Sequence, residues 1–237
     1  MDTMVESLRL ALGMMLHADA RLGEIVGLSL RVSATACACA GVLGLLSGAL
    51  LAAFPFPGRR GVVWAVNTLL ALPPVVVGLA VYLLLSRSGP LGPLGLLFTP
   101  AAMVVAQTVL LLPLVAALSR RLVVDAMAEA GDDLRSLGAG PLATATLLLV
   151  HQRHGVLTVM LTAFGRAIAE VGAVMIVGGN IDGATRVMTT AIALETSKGD
   201  LPLALALGLV LLAVVGVVNG AVAWVQGRNA GGREALV

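Results

Sequence analysis

The chain has 237 residues, of which 59% are hydrophobic and only 12% charged, with a net charge of +2. A water-soluble domain of this length cannot bury so much apolar surface, so several membrane spans are implied, and the small net charge gives no ground for nucleic-acid binding. Lys198 is the only lysine and lies in no GxxxxGK[ST] loop, which excludes ATP binding by that route.

The chain begins "MDTMVESLRLALGMMLHADARLGE", with acids near its start and no basic leader, so a cleaved signal peptide is not expected. Residues 4–16 are too short to cross a bilayer and carry Glu6 and Arg9, which suits an interfacial amphipathic helix. Five later stretches reach spanning length, at 28–53, 62–85, 99–118, 155–179 and 201–226. The fold class is therefore an all-α membrane protein. Residues 1–27 form an N-terminal interfacial segment, 28–226 a single transmembrane domain and 227–237 a tail. Cys37 and Cys39, in the first span, point to different faces of a helix and read as small buried hydrophobes, not as a disulfide or metal ligands.

The second span contains "NTLLALPPVVVG". Pro73 and Pro74 remove two backbone donors in succession, so the helix must bend or break there. The third span places Gln107 and Thr108 near mid-depth, ahead of Pro113. These features fit either helix packing or a translocation path built where helices break at the midplane.

Between spans three and four runs "SRRLVVDAMAEAGDDLRSLGAGPLATATLLLVHQRHG", about 120–154, too long for a simple connection and too apolar for a linker. Asp132 and Asp133 are expected to start a short helix, Leu134 and Leu137 to give it an apolar face, and Gly138 or Gly140 followed by Pro141 to stop it. Such a helix either enters a groove on a partner or folds back on its own bundle. His151 and His154 lack third and fourth ligands nearby and read as a solvated interfacial pair, with Gly155 ending the segment.

In the fourth span, "AFGRAIAEVGAVMIVGGN", Arg166 lies about 16 Å from a start at Gly155, close to the centre of a ~30 Å hydrocarbon layer. A lone charge there costs about 2.5–3.5 kcal/mol or more. Arg166 and Glu170 are four apart and can neutralise one another, while Gly165, Ala169 and Gly172 form one small-residue stripe on a helix. The pair is thus expected to face protein or a path, as a structural or gating ion pair. In "GGNIDGATRVMTTAIALETSKGD", which follows, Gly178, Gly179 and Asn180 offer either an anion-friendly concavity of amides or a turn ending the span. A further short helix is expected beyond them. Five spans put the termini on opposite sides. Arg59, Arg60, Arg120, Arg121, Arg135, Arg153, Arg228 and Arg233 then outnumber Arg9, Arg21, Arg87, Arg186 and Lys198, which places the C-terminus inside and the N-terminus outside.

The stretch "DDLRSLGAG" resembles the EAA loop of binding-protein-dependent ABC importer permeases, a pattern close to EAAxxLGA. Asp132, Asp133 and Leu134 stand where that family has Glu-Ala-Ala, a departure, while Leu137, Gly138 and Ala139 match its LGA. The downstream Leu-Pro is absent. More widely, "FPGRRGVVWAVNTLLALPPVVVGLAVYLLLSRSGPLGPLGLLFTP" and "AFGRAIAEVGAVMIVGGNIDGATRVMTTAIALETSKGD" are similar to the tungstate-type permeases of the molybdate/tungstate importer group, a likeness that runs from about Ser29 to Asn219.

The resemblance implies a five-span permease in the plasma membrane of a prokaryote. It implies a homodimer, two copies of a separate ATPase that carry ATP and Mg, and an extracytoplasmic oxyanion-binding protein. No cofactor or metal is then bound by this chain. The segment through Asp132, Asp133, Leu134, Leu137, Gly138 and Ala139 would couple to the ATPase. Pro73, Pro74, Gln107, Arg166, Glu170, Gly178, Gly179 and Asn180 are the candidates for path or gate. The implied cargo is tungstate, with molybdate and sulfate as alternatives. A secondary transporter would need a coupling-ion site and usually inverted repeats, and the chain has no halves that repeat. A membrane scaffold is the third reading, and neither rival depends on a separate ATPase.

Overall fold

A computed structural model describes residues 4–5, 8–10, 12–13, 20–136 and 138–234, with side chains for all of these except 20, 135 and 221–234. Much of the expected interfacial helix at 4–16 lies outside the described residues, as does Leu137. Regular structure among the described residues is entirely helical.

Helix α1, Ala20–Ala53, is followed by Phe54-Pro55-Phe56-Pro57, whose prolines cannot continue it. The guanidinium of Arg59 closes its end: Nε donates to the Leu51 carbonyl at 2.7 Å and Nη2 to that of Ala52 at 2.9 Å. Both carbonyls lack partners in the last turn of the helix, and the cation meets the negative end of its dipole. Helices α2, Arg59–Leu69, and α3, Pro74–Leu85, then meet at 102°. Pro73 is extended, with ψ of 128°, and Pro74 takes the first helical position, so the expected break falls on the proline pair.

Helix α4, Pro100–Ser136, stays continuous through Pro113. Arg120 and Arg121 stand about 30 Å along it from Pro100, one hydrocarbon thickness, so its remaining turns extend past the apolar layer. This corrects the expected helix start at Asp132–Asp133, which instead lie near the C-terminal end of α4. The intervening "LVVDAMAEAG" has three alanines and no proline, so nothing forces the helix to stop. The stop itself is as expected. Gly138 is left-handed, with φ of 77°, and the Ala139 N–H returns to the Leu134 carbonyl at 3.0 Å, a Schellman closure.

Helices α5, Pro141–His151, and α6, Arg153–Ile168, bend by 80° at Gln152. Gly155 therefore lies inside α6 and neither ends nor begins a segment. Helix α7, Gly172–Gly178, follows a second break, then α8, Met188–Lys198, and α9, Leu201–Glu234. The short helix expected beyond Asn180 is α8. Residues 155–179, read from sequence as one span, are thus two helices. Among the described residues, Arg21–Ala53, Pro100–Leu134 and Leu201–Gly220 are long and apolar enough to cross a membrane, and counting each bent pair, α2 with α3 and α5 with α6, as one span gives up to five.

The chain divides into two compact units. In Leu30–Thr185, Ala36, Cys37 and Ala40 of α1 meet Leu111 and Val115 of α4 and Val159, Ala163 and Ala167 of α6. A second cluster joins Ala49, Ala52, Val123, Ala126, Ala145 and Leu148, with Leu134 packed against it. Helices α1 and α4 approach closely because Gly44 and Gly48 carry no side chain: a Cβ at Gly48 would sit 2.2 Å from the Ala116 carbonyl oxygen. Ser119 Oγ donates across this contact to the Leu45 carbonyl at 2.8 Å. Cys37 is buried as expected, but Cys39 is exposed, which corrects the reading of both as core residues.

The other unit, Met1–Ser29 with Arg186–Val237, packs Met188, Ala191, Ala206, Leu207 and Val210 with Leu22, Ile25 and Val26. Ser29 Oγ accepts the Met188 N–H at 2.8 Å, at the start of α8, and donates to the Ile25 carbonyl at 2.7 Å. Large apolar side chains such as Leu43, Trp64, Val75, Leu79, Leu83, Leu212 and Val217 are exposed. In a chain of this composition such faces belong against lipid or another polypeptide.

Candidate functional site

Two breaks in the Leu30–Thr185 unit, that between α2 and α3 and that between α6 and α7, lie against each other. A Cβ at Gly78 of α3 would sit 2.8 Å from the Ala173 Cα of α7, and one at Gly172 would sit 3.0 Å from Val75 Cγ2. Glycine at both places lets the helices touch backbone to backbone. The start of α3 after Pro73–Pro74 is thereby brought beside the start of α7 after Glu170.

Every backbone group released at a break within a membrane needs a partner from protein. Here Glu170 N–H donates to the Ala167 carbonyl at 3.2 Å. Gln107, reaching over from α4 and 3% exposed, donates Nε2 to the same oxygen at 3.0 Å. On the far side of the break, Glu170 Oε1 accepts the Ala173 N–H at 3.4 Å, which places the carboxylate at the positive end of α7. Glu170 Oε2 lies 4.0 Å from Arg166 Nη2, with side-chain exposures of 6% for the acid and 53% for the arginine. Gln107, Leu110, Leu111, Arg166, Ala167 and Glu170 enclose a crevice of about 10 Å³, room for a single water. Gln107 Oε1 is buried there with no hydrogen-bond partner among the described residues.

Gln107, Arg166 and Glu170, separate candidates in the sequence, are thus brought into one cluster, with Pro73 and Pro74 next to it through Val75 and Gly172. Thr108 does not join them, because its hydroxyl bonds within α4 to the Val104 carbonyl at 2.7 Å. The expected stripe of Gly165, Ala169 and Gly172 on one helix does not form. Helix α6 ends at Ile168, Gly165 has open space around it, and only Gly172 makes the close approach. The Ala167 carbonyl, on which the cluster turns, carries no signal in the sequence.

Gly178, Gly179 and Asn180 sit at the opposite end of α7. Gly179 is left-handed at φ 71° and Asn180 at φ 51°. The Gly179 N–H goes to the Met175 carbonyl at 2.9 Å and the Ile181 N–H to Thr185 Oγ1 at 3.0 Å, while the Thr185 hydroxyl donates to the Gly178 carbonyl. The glycines also admit neighbours: a Cβ would lie 3.0 Å from Met103 Sδ at Gly178 and 2.9 Å from the Phe98 ring at Gly179. The segment is a turn ending α7, with these two amides already committed.

Of the residues matched to the EAA loop, Asp132, Asp133 and Gly138 are exposed, while Leu134 and Ala139 are half-buried. Leu134 packs on its own bundle.

No protein-family model matches the chain. It is 40% identical to the tungstate uptake system permease protein TupB of Peptoclostridium acidaminophilum, over 94% of its own length and 97% of that protein. It is 43% identical to a probable anion ABC transporter permease protein of Haloferax volcanii, over 90% of its own length and 95% of that protein. The chain belongs to the ABC transporter permeases. A second TupB, from Campylobacter jejuni, is 41% identical over 70% of this permease and 70% of its own chain. As a permease subunit of that family, the protein is a multi-pass membrane component without ATPase activity of its own, and the family implies an ATPase and a binding protein as partners.

Across this break α7 is joined to α6 by the hydrogen bonds of one carbonyl and one carboxylate, and it packs closely on α3.

Proposed function

We propose that this permease imports a tetrahedral oxyanion, tungstate first, using ATP hydrolysed by a separate subunit. The observation that carries the reading is the likeness to two proteins named for tungstate uptake, near full-length in one and over 70% of the chain in the other. In this proposal residues 28–226 act as one transmembrane domain, and two copies of the chain form a homodimer with two cytoplasmic ATPases, which hold the ATP and Mg, and an extracytoplasmic binding protein. The C-terminus is cytoplasmic and the N-terminus outside, supported by the excess of arginine on the inner segments.

The end of α4 and the turn through Gly138 receive the motion of the ATPase. Asp132, Asp133 and Gly138 support this role by being exposed past the apolar part of α4. The cluster of Gln107, Arg166 and Glu170, beside Pro73 and Pro74, serves as the gate. The turn at Gly178, Gly179 and Asn180 lines the path beyond it.

Uptake into vesicles holding the permease, its ATPase and its binding protein tests this reading, with tungstate, molybdate and sulfate compared. Tungstate uptake should be saturable and should vanish when the ATPase cannot hydrolyse ATP. Saturable sulfate uptake without competition by tungstate would overturn the cargo, and uptake without ATP hydrolysis would favour a secondary transporter.

A further inference from the structure

We infer that Arg166 is a transit site for the oxyanion: its guanidinium leaves Glu170 for the passing dianion and returns to Glu170 when the anion has gone. The inference rests on the oxyanion reading above and assigns a contact residue within it.

The two members of the ion pair are held unequally. Glu170 is 6% exposed and is retained by the Ala173 N–H and by its own N–H to the Ala167 carbonyl, so it keeps partners when Arg166 moves. Arg166 is 53% exposed and meets Glu170 at 4.0 Å, well beyond the 2.7–2.9 Å of a charge-assisted hydrogen bond. Guanidinium carries five N–H donors in a planar fork, and among the described residues none of those of Arg166 makes a hydrogen bond.

An open guanidinium in an apolar span cannot face hydrocarbon without the cost of a bare charge, so its open side belongs to water or a polar path. The fork matches two oxygens of a tetrahedral oxyanion, and a dianion offers more charge than the one carboxylate it displaces. On the buried side, the crevice presents the acceptor Oε1 of Gln107 together with the Glu170 carboxylate. Acceptors repel an anion, so that side takes a water and the anion approaches from the exposed side of Arg166. Glu170 then has a second effect. By competing for the guanidinium it keeps the anion from being trapped, as a conducting site requires.

The test uses the complete transporter in proteoliposomes and reads tungstate uptake and binding-protein-stimulated ATP hydrolysis side by side. Arg166→Gln should leave hydrolysis running while tungstate moved per ATP falls by about tenfold or more, the factor for losing one charged hydrogen bond. Arg166→Lys, which keeps the charge without the fork, should fall between Arg166→Gln and the parent. Unchanged uptake per ATP in Arg166→Gln would overturn the site. So would joint loss of hydrolysis and uptake with no recovery in Arg166→Lys, which is the signature of a purely structural pair. If the parent transporter itself moves no oxyanion, the failure lies in the cargo reading and not in the role of Arg166.

Discussion

Glu170 accounts for its own burial. Its carboxylate accepts the Ala173 N–H, faces the positive end of α7 and lies 4.0 Å from a guanidinium, three favourable terms against one desolvation cost. Two substitutions separate the terms. Glu170→Gln keeps an oxygen for Ala173 but removes the charge that draws Arg166 back, so the protein should stay folded while ATP-driven uptake falls about tenfold, within the usual range for coupling between sites. Glu170→Ala also removes the cap and should melt lower than Glu170→Gln, by about 1 kcal/mol of stability, the usual size of a lost N-terminal cap. Thermal melts of the purified permease, with uptake in parallel, decide it. Full uptake and unchanged substrate range in Glu170→Gln would remove the gate assignment.

Among the elements, the two breaks differ in how they are written. That between α2 and α3 is local: Pro73 and Pro74 withhold N–H donors, Pro73 is extended, and Leu72 belongs to neither helix. That between α6 and α7 is not. "RAIAEVGAV" has no proline, and a helix through it breaks no local rule. Two neighbouring helices decide the matter, α4 by bonding Gln107 to the Ala167 carbonyl and α3 by packing Val75 on Gly172. Asp132–Asp133 is ambiguous in the same way, because a residue suited to an N-cap is also tolerated inside a helix that has no reason to stop. The local break can be tested directly. Replacing Pro73 and Pro74 together by Ala removes about 3 kcal/mol of helix penalty per proline and lets α2 run towards α3. Such a permease should show more helix by circular dichroism and several-fold lower uptake. Undiminished uptake with more helix would show that the 102° bend is not needed for transport.

For the whole molecule, the proposed coupling would travel from the end of α4 to the cluster, and α4 itself carries both Asp133 and Gln107. Gly138 is exposed with no atom near a built Cβ, so a large side chain has room there, but φ of 77° strains any residue other than glycine by about 1–2 kcal/mol. Gly138→Ala carries that strain without bulk and should keep most uptake. Gly138→Trp adds bulk where the ATPase is proposed to seat and should abolish uptake while the permease elutes from size-exclusion chromatography as the parent does. Normal ATP-driven uptake by Gly138→Trp would sink the coupling assignment.

By itself the sequence determined what depends on neighbours along the chain. Hydropathy set the membrane class and the five candidate spans, the proline pair set one break, and Gly138 before Pro141 set the end of α4. The near-continuous likeness to uptake permeases set the family. Only the tertiary structure decided that Gln107, Arg166 and Glu170 meet, that the fourth span is two helices, and that Arg166 stays open while Glu170 is buried. The physical reason is the bilayer's lack of water. A carbonyl or charge exposed at depth must be satisfied by whichever helix stands beside it, and that neighbour is a property of packing, not of the residues on either side.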